Sequence, residues 1–285
     1  MPIQLRAEVL DVRKVGAYSV ISLTAAGMPE LARPGHFVTV SMGGEESSML
    51  LRRAFAVYQV KSRGVYGGTL EIVVGIEGKG TQWLSERRRH DVLDIVGPLG
   101  RPFILPKERV PCVIVAGGYG SAAMFMLAEQ LRDRGCRVDV VMGASVESKL
   151  FGVLEMKRAS SKLIITTEDG SAGVRGRVTD VLPEVIDKSE AAVVYAAGPM
   201  GMLSAVASIA AEHRAYSQCS VEEAMACGIG ICMTCVLPVI GSDGVTRMVR
   251  SCVEGPVFRG DRVRWDDVGT IPPDAFGAPV AEVQA

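Results

Sequence analysis

Four cysteines near the end of the chain have the residue type and spacing of an iron–sulfur site. Cys227, Cys232 and Cys235 form a C-x4-C-x2-C pattern, and sixteen residues separate Cys235 from Cys252. Four thiolates at such spacing are typical ligands of a [2Fe–2S] cluster, which carries electrons one at a time. The pattern therefore predicts electron transfer, with these four residues as the candidate metal ligands.

The loop between the first two of these cysteines is suited to turn several sulfurs towards one point. Gly228 and Gly230 accept the positive φ angles that a wrapped loop requires, and their small size lets backbone N–H groups approach the sulfurs. Two alternatives are a zinc site, which prefers C-x-x-C knuckles, and disulfides, which belong to secreted proteins. The four-residue gap and the lack of other signs of secretion favour iron–sulfur.

The composition of the chain argues against several other classes of function. A net charge of −1 and an aromatic content of 5% give no basic or base-stacking surface for nucleic acid. Seven cysteines behind a charged amino-terminal segment fit a protein of the reducing cytoplasm. Residues 191–211 are uncharged and long enough to cross a bilayer. Because Gly198, Pro199 and Gly201 interrupt them, we expect a buried strand, a turn and a helix instead.

The first third of the chain has the pattern of a small β domain. Strands are predicted over residues 4–12, 18–23, 36–41, 53–60 and 70–76. Closely spaced strands with Gly and Pro between them predict an antiparallel barrel or sandwich. Helical periodicity is confined to residues 81–89.

Two features of this domain are candidates for a binding site. The sequence GKGT over residues 78–81 opens the short helix, where free N–H groups and the helix dipole favour an anion. Arg52 and Arg53 place two cations at the edge of a predicted strand. Each feature alone also fits a simple helix start or a solvated arginine pair.

From residue 111 the pattern changes to alternating strands and helices. A strand over residues 112–116 leads into the turn GGYGS over 117–121, which is followed by a helix over 122–134 and a strand over 137–142. This βαβ unit with a glycine-rich first turn is typical of nucleotide binding in a doubly wound sheet. The alternative is a turn that needs glycine for packing only.

The alternation continues to about residue 211. Strands are predicted over residues 163–167 and 192–196, and a helix over 178–186 is expected to be interrupted at Pro183. Ligands of open α/β sheets bind where the strands end. The cofactor site is therefore expected at the turns that follow these strands, including Gly198-Pro199.

A β domain, a nucleotide domain and a four-cysteine segment in this order resemble the ferredoxin-reductase superfamily. The chain is more closely similar to the electron-transfer subunits of NAD-dependent (class 1B) dihydroorotate dehydrogenases. The most specific shared run is VEEAMACGIGIC over residues 221–232, and CVEGPVF over 252–258 closes the match. The other shared motifs are RPGHF over 33–37, LRRAFA over 51–56, GKGT over 78–81, GPLG over 97–100, TEDGS over 167–171, VTD over 178–180 and Gly198-Pro199.

The resemblance implies FAD, NAD(H) and a [2Fe–2S] cluster as cofactors, with no catalytic side chain of the protein's own. The implied flavin-binding residues are Arg53, Ala54, Phe55, Ala56, Val73, Val74, Gly75, Gly80 and Thr81. The implied nicotinamide-binding residues are Gly117, Gly118, Gly120, Gly198 and Pro199. The implied cluster ligands are Cys227, Cys232, Cys235 and Cys252.

This chain also departs from the pattern of that family. Ala56 replaces a usual serine, and Ala197 replaces a frequent cysteine near the nicotinamide. Val74-Gly75 replaces a usual Tyr-Arg pair, and the glycine turn lacks the two prolines that commonly follow it. These differences remove contacts that the family makes to its nucleotides.

The sequence therefore predicts a multidomain β plus α/β protein. Its expected parts are an antiparallel β-barrel FAD domain over 1–103, a doubly wound α/β NAD domain over 104–216, and a small [2Fe–2S] domain with a tail over 217–285. The expected function is a cytoplasmic electron relay to or from a catalytic flavoprotein subunit of the dihydroorotate dehydrogenase type, within a hetero-oligomer.

Two alternative functions share some of these features. One is the small subunit of an NADH-dependent ferredoxin:NADP oxidoreductase or of a hydrogenase-type complex. The other is a zinc-binding adaptor with a degenerate nucleotide domain.

Two further expectations concern the nucleotide and the partner. Glu147 follows the strand over residues 137–142 and would repel a 2′-phosphate, which predicts a preference for NADH over NADPH. The nearly uncharged loop over residues 226–236 predicts a docking surface for the partner. The tail over residues 267–285, which prolines keep from being helical, is expected to cover a partner or to be disordered.

Overall fold

The amino-terminal β domain is a closed barrel. The computed structural model describes residues 1–44, 47–62 and 67–279 of the chain. The barrel has the strand order β1-β2-β5-β4-β3-β6, with antiparallel neighbours throughout. Its strands are β1 (Ile3–Val15), β2 (Tyr18–Thr24), β3 (Phe37–Val40), β4 (Arg53–Lys61), β5 (Thr69–Gly75) and β6 (Val92–Leu99), and helix α1 (Lys79–Ser85) connects β5 to β6.

Alternation along β3 assigns its side chains to two different environments. Val38 and Val40 belong to the apolar interior of the barrel. Phe37 and Thr39 point the opposite way, because successive side chains of a strand alternate between its faces. Phe37 packs outside the barrel against two cysteines near the end of the chain. The short strand β3 therefore joins the barrel core to the carboxyl-terminal segment.

The second domain is a mostly parallel sheet of the doubly wound type. Its strand order is β10-β9-β8-β7-β11-β12-β15, and the last of these strands runs antiparallel to its neighbour. The strands are β7 (Cys112–Gly117), β8 (Val138–Ala144), β9 (Lys162–Thr167), β10 (Val174–Arg175), β11 (Val193–Ala197), β12 (Tyr216–Ser220) and β15 (Val257–Arg259). The helices are α2 (Phe125–Asp133), α3 (Val153–Ala159), α4 (Val178–Ser189) and α5 (Met200–Glu212).

Two apolar cores cover the two faces of this sheet. Side chains of α2 and α3 pack on one face, and side chains of α4 and α5 pack on the other. The chain order reverses between β7 and β11, which are neighbours in the sheet. Ligands of such sheets bind beside this switch point, at the carboxyl ends of the strands. The predicted combination of a β-barrel with a doubly wound α/β domain is confirmed.

The carboxyl-terminal segment adds a hairpin and returns to the sheet. The hairpin consists of β13 (Val236–Ile240) and β14 (Thr246–Arg250), after which β15 pairs with β12. Short 3-10 helices occupy Gly118–Met124, Glu147–Lys149, Gly260–Arg262 and Trp265–Asp267. The tail packs on the hairpin, since the Phe276 amide donates to the carbonyl of Thr246 at 2.8 Å. Residues 280–285 of the predicted tail lie outside the described residues.

Some sequence-based boundaries were wrong. Helix α4 runs through Pro183 without the expected interruption and ends at Ser189 instead of residue 186. The segment expected to be helical from residue 122 begins as the 3-10 helix Gly118–Met124. Strand β6 was not predicted, because its end at Gly97-Pro98-Leu99 resembles a turn.

The uncharged stretch over residues 191–211 forms β11, a turn and most of α5, as expected. Within the described residues, no helix combines the length and the apolar character needed to cross a bilayer.

Candidate functional site

A cleft of about 930 Å³ lies between the barrel and the sheet. The barrel contributes Tyr18, Arg53 and Gly75, and the sheet contributes the turns that follow its strands. The ends of the strands and the turns after them supply Gly117, Gly118, Tyr119, Gly143, Ala144, Ser145, Thr166, Glu168 and Pro199. The cleft therefore combines the predicted flavin-binding wall with the predicted nucleotide-binding edge.

A second cavity of about 590 Å³ continues this cleft towards the cysteine-containing segment. The two cavities share Arg53, Ala54, Phe55, Tyr119 and Glu222 as lining residues. Ala56, Gly120 and Met225 line only the second cavity. The shared walls make one extended groove that runs from the nucleotide turns to the residues just before Cys227.

Arg53 is a cation that lines both cavities, where it could meet a phosphate. Within the described residues its guanidinium donates to two carbonyl oxygens, those of Leu51 at 3.1 Å and Arg52 at 3.2 Å. Arg52 instead forms an ion pair with Asp94 at 2.8 Å. Arg52 therefore supports the barrel, whereas the charge of Arg53 faces the groove.

The other predicted flavin residues divide into two groups. Ala54, Phe55, Ala56, Gly75 and Thr81 line the groove. The side chains of Val73 and Val74 are buried in apolar cores, and Gly80 is buried against Met42 and Met49. The Thr81 hydroxyl accepts hydrogen bonds from the amides of Glu77 and Gly78 at 2.9 and 3.1 Å.

The glycines of the two nucleotide turns allow these turns to pack against each other. A Cβ atom on Gly120 would lie within 2.7 Å of the backbone of Gly198. A Cβ atom on Gly117 would lie 2.6 Å from the sulfur of Met202 and 3.2 Å from Pro199. Gly118 has a φ of +50° and an open Cβ direction. Packing thus explains Gly117, Gly120 and Gly198, while Gly118 leaves backbone accessible to a ligand.

Tyr119 in the glycine-rich turn is a site residue that sequence reasoning missed. Its hydroxyl donates a hydrogen bond of 2.5 Å to the carbonyl of Val73 on β5. Burial raises the pKa of this hydroxyl, with a further contribution from the Glu222 carboxylate. Tyr119 therefore fixes the nucleotide turn to the barrel at the centre of the groove.

Glu222 is a second residue missed from the sequence. Its side chain is open to the groove and lines both cavities. The surrounding walls desolvate the carboxyl in part, and this desolvation raises the pKa of Glu222. The signal for it was its position in the conspicuous run over residues 221–232.

The four cysteines near the chain end lie as two pairs. The sulfurs of Cys227 and Cys232 are 3.3 Å apart, and the Cys232 amide donates to the Cys227 sulfur at 3.4 Å. Cys235 and Cys252 are buried together in an apolar cluster that includes Phe37. Burial raises the pKa of the Cys252 thiol to about 12, and the hydrogen bond with the neighbouring Cys235 thiol is the second cause. The structure therefore brings the four predicted metal ligands into two pairs.

Two pairs of thiolates fit the donor set of a [2Fe–2S] cluster, in which each of the two irons takes two protein sulfurs. A structural zinc ion would instead gather four ligands around one point. Among the described residues, no group of three or more His, Cys, Asp or Glu side chains surrounds a single metal position. Two buried hydroxyls beside these cysteines, those of Thr39 and Ser251, have no hydrogen-bond partner within the described residues.

The conformation of the cysteine loop depends on its glycines. Gly228 and Gly230 have φ angles of +69° and +84°, as expected for a wrapped loop. A Cβ atom on Gly228 would lie 2.5 Å from Thr39, and one on Gly230 would lie 2.4 Å from Val253. Arg250 also donates to the Gly230 carbonyl at 2.6 Å. The loop is thus held against the barrel on one side and the returning chain on the other.

Comparison with known proteins identifies this segment. The sequence model for the iron-sulfur cluster binding domain of dihydroorotate dehydrogenase B matches residues 222–264. The electron transfer subunit of dihydroorotate dehydrogenase B (NAD(+)) from Desulforamulus reducens is 32% identical over 91% of this chain and all of its own length. The chain belongs to this family. The subunit from Bacillus caldolyticus is 36% identical over 85% of this chain and 91% of its own.

Solved structures agree with this assignment. The solved structure of an NADH-dependent reduced ferredoxin-NADP oxidoreductase, studied for flavin-based electron bifurcation, superposes on this chain with a TM-score of 0.79 and is 29% identical in sequence. It covers 93% of this chain and 91% of its own. The ferredoxin reductase of carbazole 1,9a-dioxygenase, at 19% identity and a TM-score of 0.63, covers 75% of this chain and 67% of its own, and shares the fold.

One wall of the groove differs from the pattern expected of the family. Gly75 stands where the family usually has arginine. A Cβ atom added to Gly75 would lie 3.5 Å from the ring of Tyr18 and 3.9 Å from the ring of Tyr119. The two tyrosine rings lie 6.1 Å apart. Aromatic surface therefore replaces a cation on this wall of the groove.

Proposed function

We propose that this chain relays electrons between NAD(H), FAD and a [2Fe–2S] cluster, to or from a catalytic subunit of the dihydroorotate dehydrogenase type. The observation that carries the proposal is the continuity of the site. Phe37 and Met225 line the groove on one side and pack in the cluster of Cys235 and Cys252 on the other. One thin apolar wall thus separates the flavin groove from the metal ligands.

The chain's own residues would bind and orient the cofactors. Arg53 would bind flavin phosphate, because its charge faces the groove without a carboxylate partner among the described residues. Gly118 would offer open backbone to the nicotinamide dinucleotide. Cys227 with Cys232, and Cys235 with Cys252, would each hold one iron. When bound, the flavin supplies the conversion between paired electrons from a nicotinamide and single electrons for an iron–sulfur cluster.

Phe37 and Met225 would exclude water between these two cofactor sites. Phe37 is buried, and it leaves the wall apolar where the groove approaches Cys235 and Cys252. Exclusion of water limits solvent reorganisation and the loss of electrons to solutes. The protein's contribution is therefore placement and insulation, which agrees with the expectation of no catalytic side chain.

A partner must supply the site for the organic substrate. The two cavities described above are both parts of the cofactor groove. Three apolar side chains are exposed at the outer surface of the cysteine loop: Ile229, Ile231 and Met233. Such a patch beside the metal ligands suits a protein interface. We propose that the catalytic subunit docks there, in a hetero-oligomer of the cytoplasm.

A second candidate function is the small subunit of an NADH-dependent ferredoxin:NADP oxidoreductase. The structural similarity over 93% of this chain favours it. Both functions use the same groove and the same cysteines. They differ in the partner, so the partner that is isolated with the chain decides between them.

The decisive experiment is reconstitution. The anaerobically purified chain should contain about two irons and one FAD, and should reduce artificial dyes with NADH. It should not oxidise dihydroorotate until a dihydroorotate dehydrogenase catalytic subunit is added. Full substrate turnover by the chain alone, or stoichiometric zinc in place of iron, would contradict the proposal. Co-purification with a ferredoxin:NADP oxidoreductase large subunit would select the second candidate.

A further inference from the structure

Thr39 carries a buried hydroxyl that has no hydrogen-bond partner among the described residues. The residue is 2% exposed, and the atom concerned is Oγ1. A buried hydroxyl left without a partner is destabilising, because it has lost its hydrogen bonds to water and gained none in return. Most buried polar groups in proteins are therefore satisfied. An acceptor beside Thr39 is expected when the protein is complete with its cofactors.

The position of Thr39 indicates where that acceptor lies. Thr39 shares the outer face of β3 with Phe37, which packs against Cys235 and Cys252. The Cγ2 atom of Thr39 lies 2.5 Å from the place of a Cβ atom on Gly228, the residue that follows Cys227. The Thr39 side chain thus lies against the cysteine loop at Gly228, on the same strand face as the phenylalanine that packs with the buried cysteine pair.

Iron–sulfur chemistry supplies acceptors at this place. The thiolates and the bridging sulfides of a cluster all accept hydrogen bonds, and the cluster becomes more negative when it is reduced. A hydroxyl donor therefore stabilises the reduced form more than the oxidised form. Hydrogen bonds to the sulfurs are an established determinant of cluster potential.

We propose that the Thr39 hydroxyl donates a hydrogen bond to a sulfur of the cluster held by the four cysteines, and thereby raises its reduction potential. Thr39 acts as a positioning and tuning residue from a strand of the flavin barrel. The inference rests on the proposed function, because it requires an iron–sulfur cluster at this site. It deepens that function, because a residue of the barrel strand β3 would then help to set the reduction potential of the cluster.

The test is a redox titration followed by EPR on the anaerobically purified holoprotein. Thr39→Val removes the hydroxyl and keeps the shape, so the midpoint potential of the cluster should shift to a lower value. Thr39→Ser keeps the hydroxyl and should retain the wild-type potential. Ser160→Ala is the matched control, because the Ser160 hydroxyl is also buried without a partner among the described residues. It follows α3, away from the cysteines, so its removal should shift nothing.

The outcomes separate this inference from its premise. An unchanged potential in Thr39→Val, with an intact EPR signal, would overturn it. If Thr39→Val assembles no cluster, retention of the cluster in Thr39→Ser supports the hydroxyl, whereas loss in both variants assigns Thr39 to packing and overturns the inference. Wild-type protein without iron would instead contradict the proposed function itself.

Discussion

The hydroxyl of Tyr119 donates a 2.5 Å hydrogen bond to the carbonyl oxygen of Val73, and so joins the nucleotide turn to the flavin barrel. The tyrosine belongs to the turn after β7, whereas the valine belongs to β5. Tyr119 also lines both cavities, so this contact lies at the groove between the two domains. A glycine-rich turn that also carries an anchoring aromatic residue is more rigid than glycine alone would make it.

Removal of this hydrogen bond should weaken the contact between the domains. Tyr119→Phe should lower the free energy of unfolding by about 1 kcal/mol, the usual net value of one hydrogen bond, and should weaken NADH binding. Denaturant unfolding and nucleotide titration measure the two effects. Tyr216→Phe is the control, because the Tyr216 hydroxyl makes no hydrogen bond within the described part of the chain. Equal stability of the two variants would show that the Tyr119 bond contributes nothing.

The cysteine pairs predict which thiols are required for the cluster. Cys227→Ser and Cys232→Ser should each lose iron and the EPR signal of the reduced cluster, since each removes one ligand of the same iron. Cys136→Ser should retain both, because Cys136 is buried beside β8 in the nucleotide domain. Iron analysis and EPR provide the measurement. A normal signal from Cys232→Ser would refute the ligand assignment.

The arrangement of residues along the chain allowed much of this fold to be predicted. Strand patterns gave five of the six barrel strands, and the glycine turn after β7 gave the nucleotide domain. Strand β6 was missed because Gly97-Pro98 reads as a turn, whereas pairing with β1 and β3 holds it in the barrel. Helix α4 passes through Pro183 because its apolar side chains pack on the sheet. Tertiary packing outweighed local propensity in both cases.

The site was only partly predictable for a related reason. Spacing predicted the four cysteines as ligands, and the structure places them as two pairs. Glu222 and Tyr119 are more than one hundred residues apart, and only the assembled groove brings them together. The outward face of Thr39 likewise depends on what packs against β3. Local patterns contain no information about such distant neighbours.

The third prediction concerns the preference for NADH over NADPH. The structure points to a different residue as its cause from the one expected from the sequence. Glu147, expected to repel a 2′-phosphate, is not a lining residue of either cavity, and its amide bonds to Ser171. Glu168 follows β9 and does line the groove. We still expect faster flavin reduction with NADH than with NADPH. Glu168→Gln should narrow that difference, whereas Glu147→Gln should leave it unchanged. Faster reduction of the wild type by NADPH in stopped flow would contradict the preference.

Glu222 predicts a specific pH dependence of stability. Its folded-state pKa is raised, so the folded protein holds this proton to a higher pH than the unfolded chain does. Stability from this group is present below the unfolded pKa of about 4.3 and is lost as pH rises through the folded value. Glu222→Gln should therefore melt like the wild type near the unfolded pKa and at a higher temperature above the folded one.

Thermal unfolding measured across this pH range provides the check. Glu212→Gln at the exposed end of α5 is the control and should gain nothing as pH rises. If the difference in melting temperature between Glu222→Gln and the wild type is the same at every pH, then the groove does not disfavour the ionised form of the Glu222 carboxyl.

The exposed surface of the cysteine loop gives the last prediction. Ile231 is 78% exposed although it stands in the chain between two of the predicted metal ligands, Cys227 and Cys232. If the catalytic subunit docks there, Ile231→Lys should weaken the complex about tenfold or more, because burial of such a side chain contributes roughly 1.5–3 kcal/mol. Dye reduction by the isolated variant should be unchanged. Leu154→Lys, at a side chain 69% exposed on α3, is the matched control and should bind normally. Undiminished affinity of Ile231→Lys for the catalytic subunit would place the interface elsewhere on the chain.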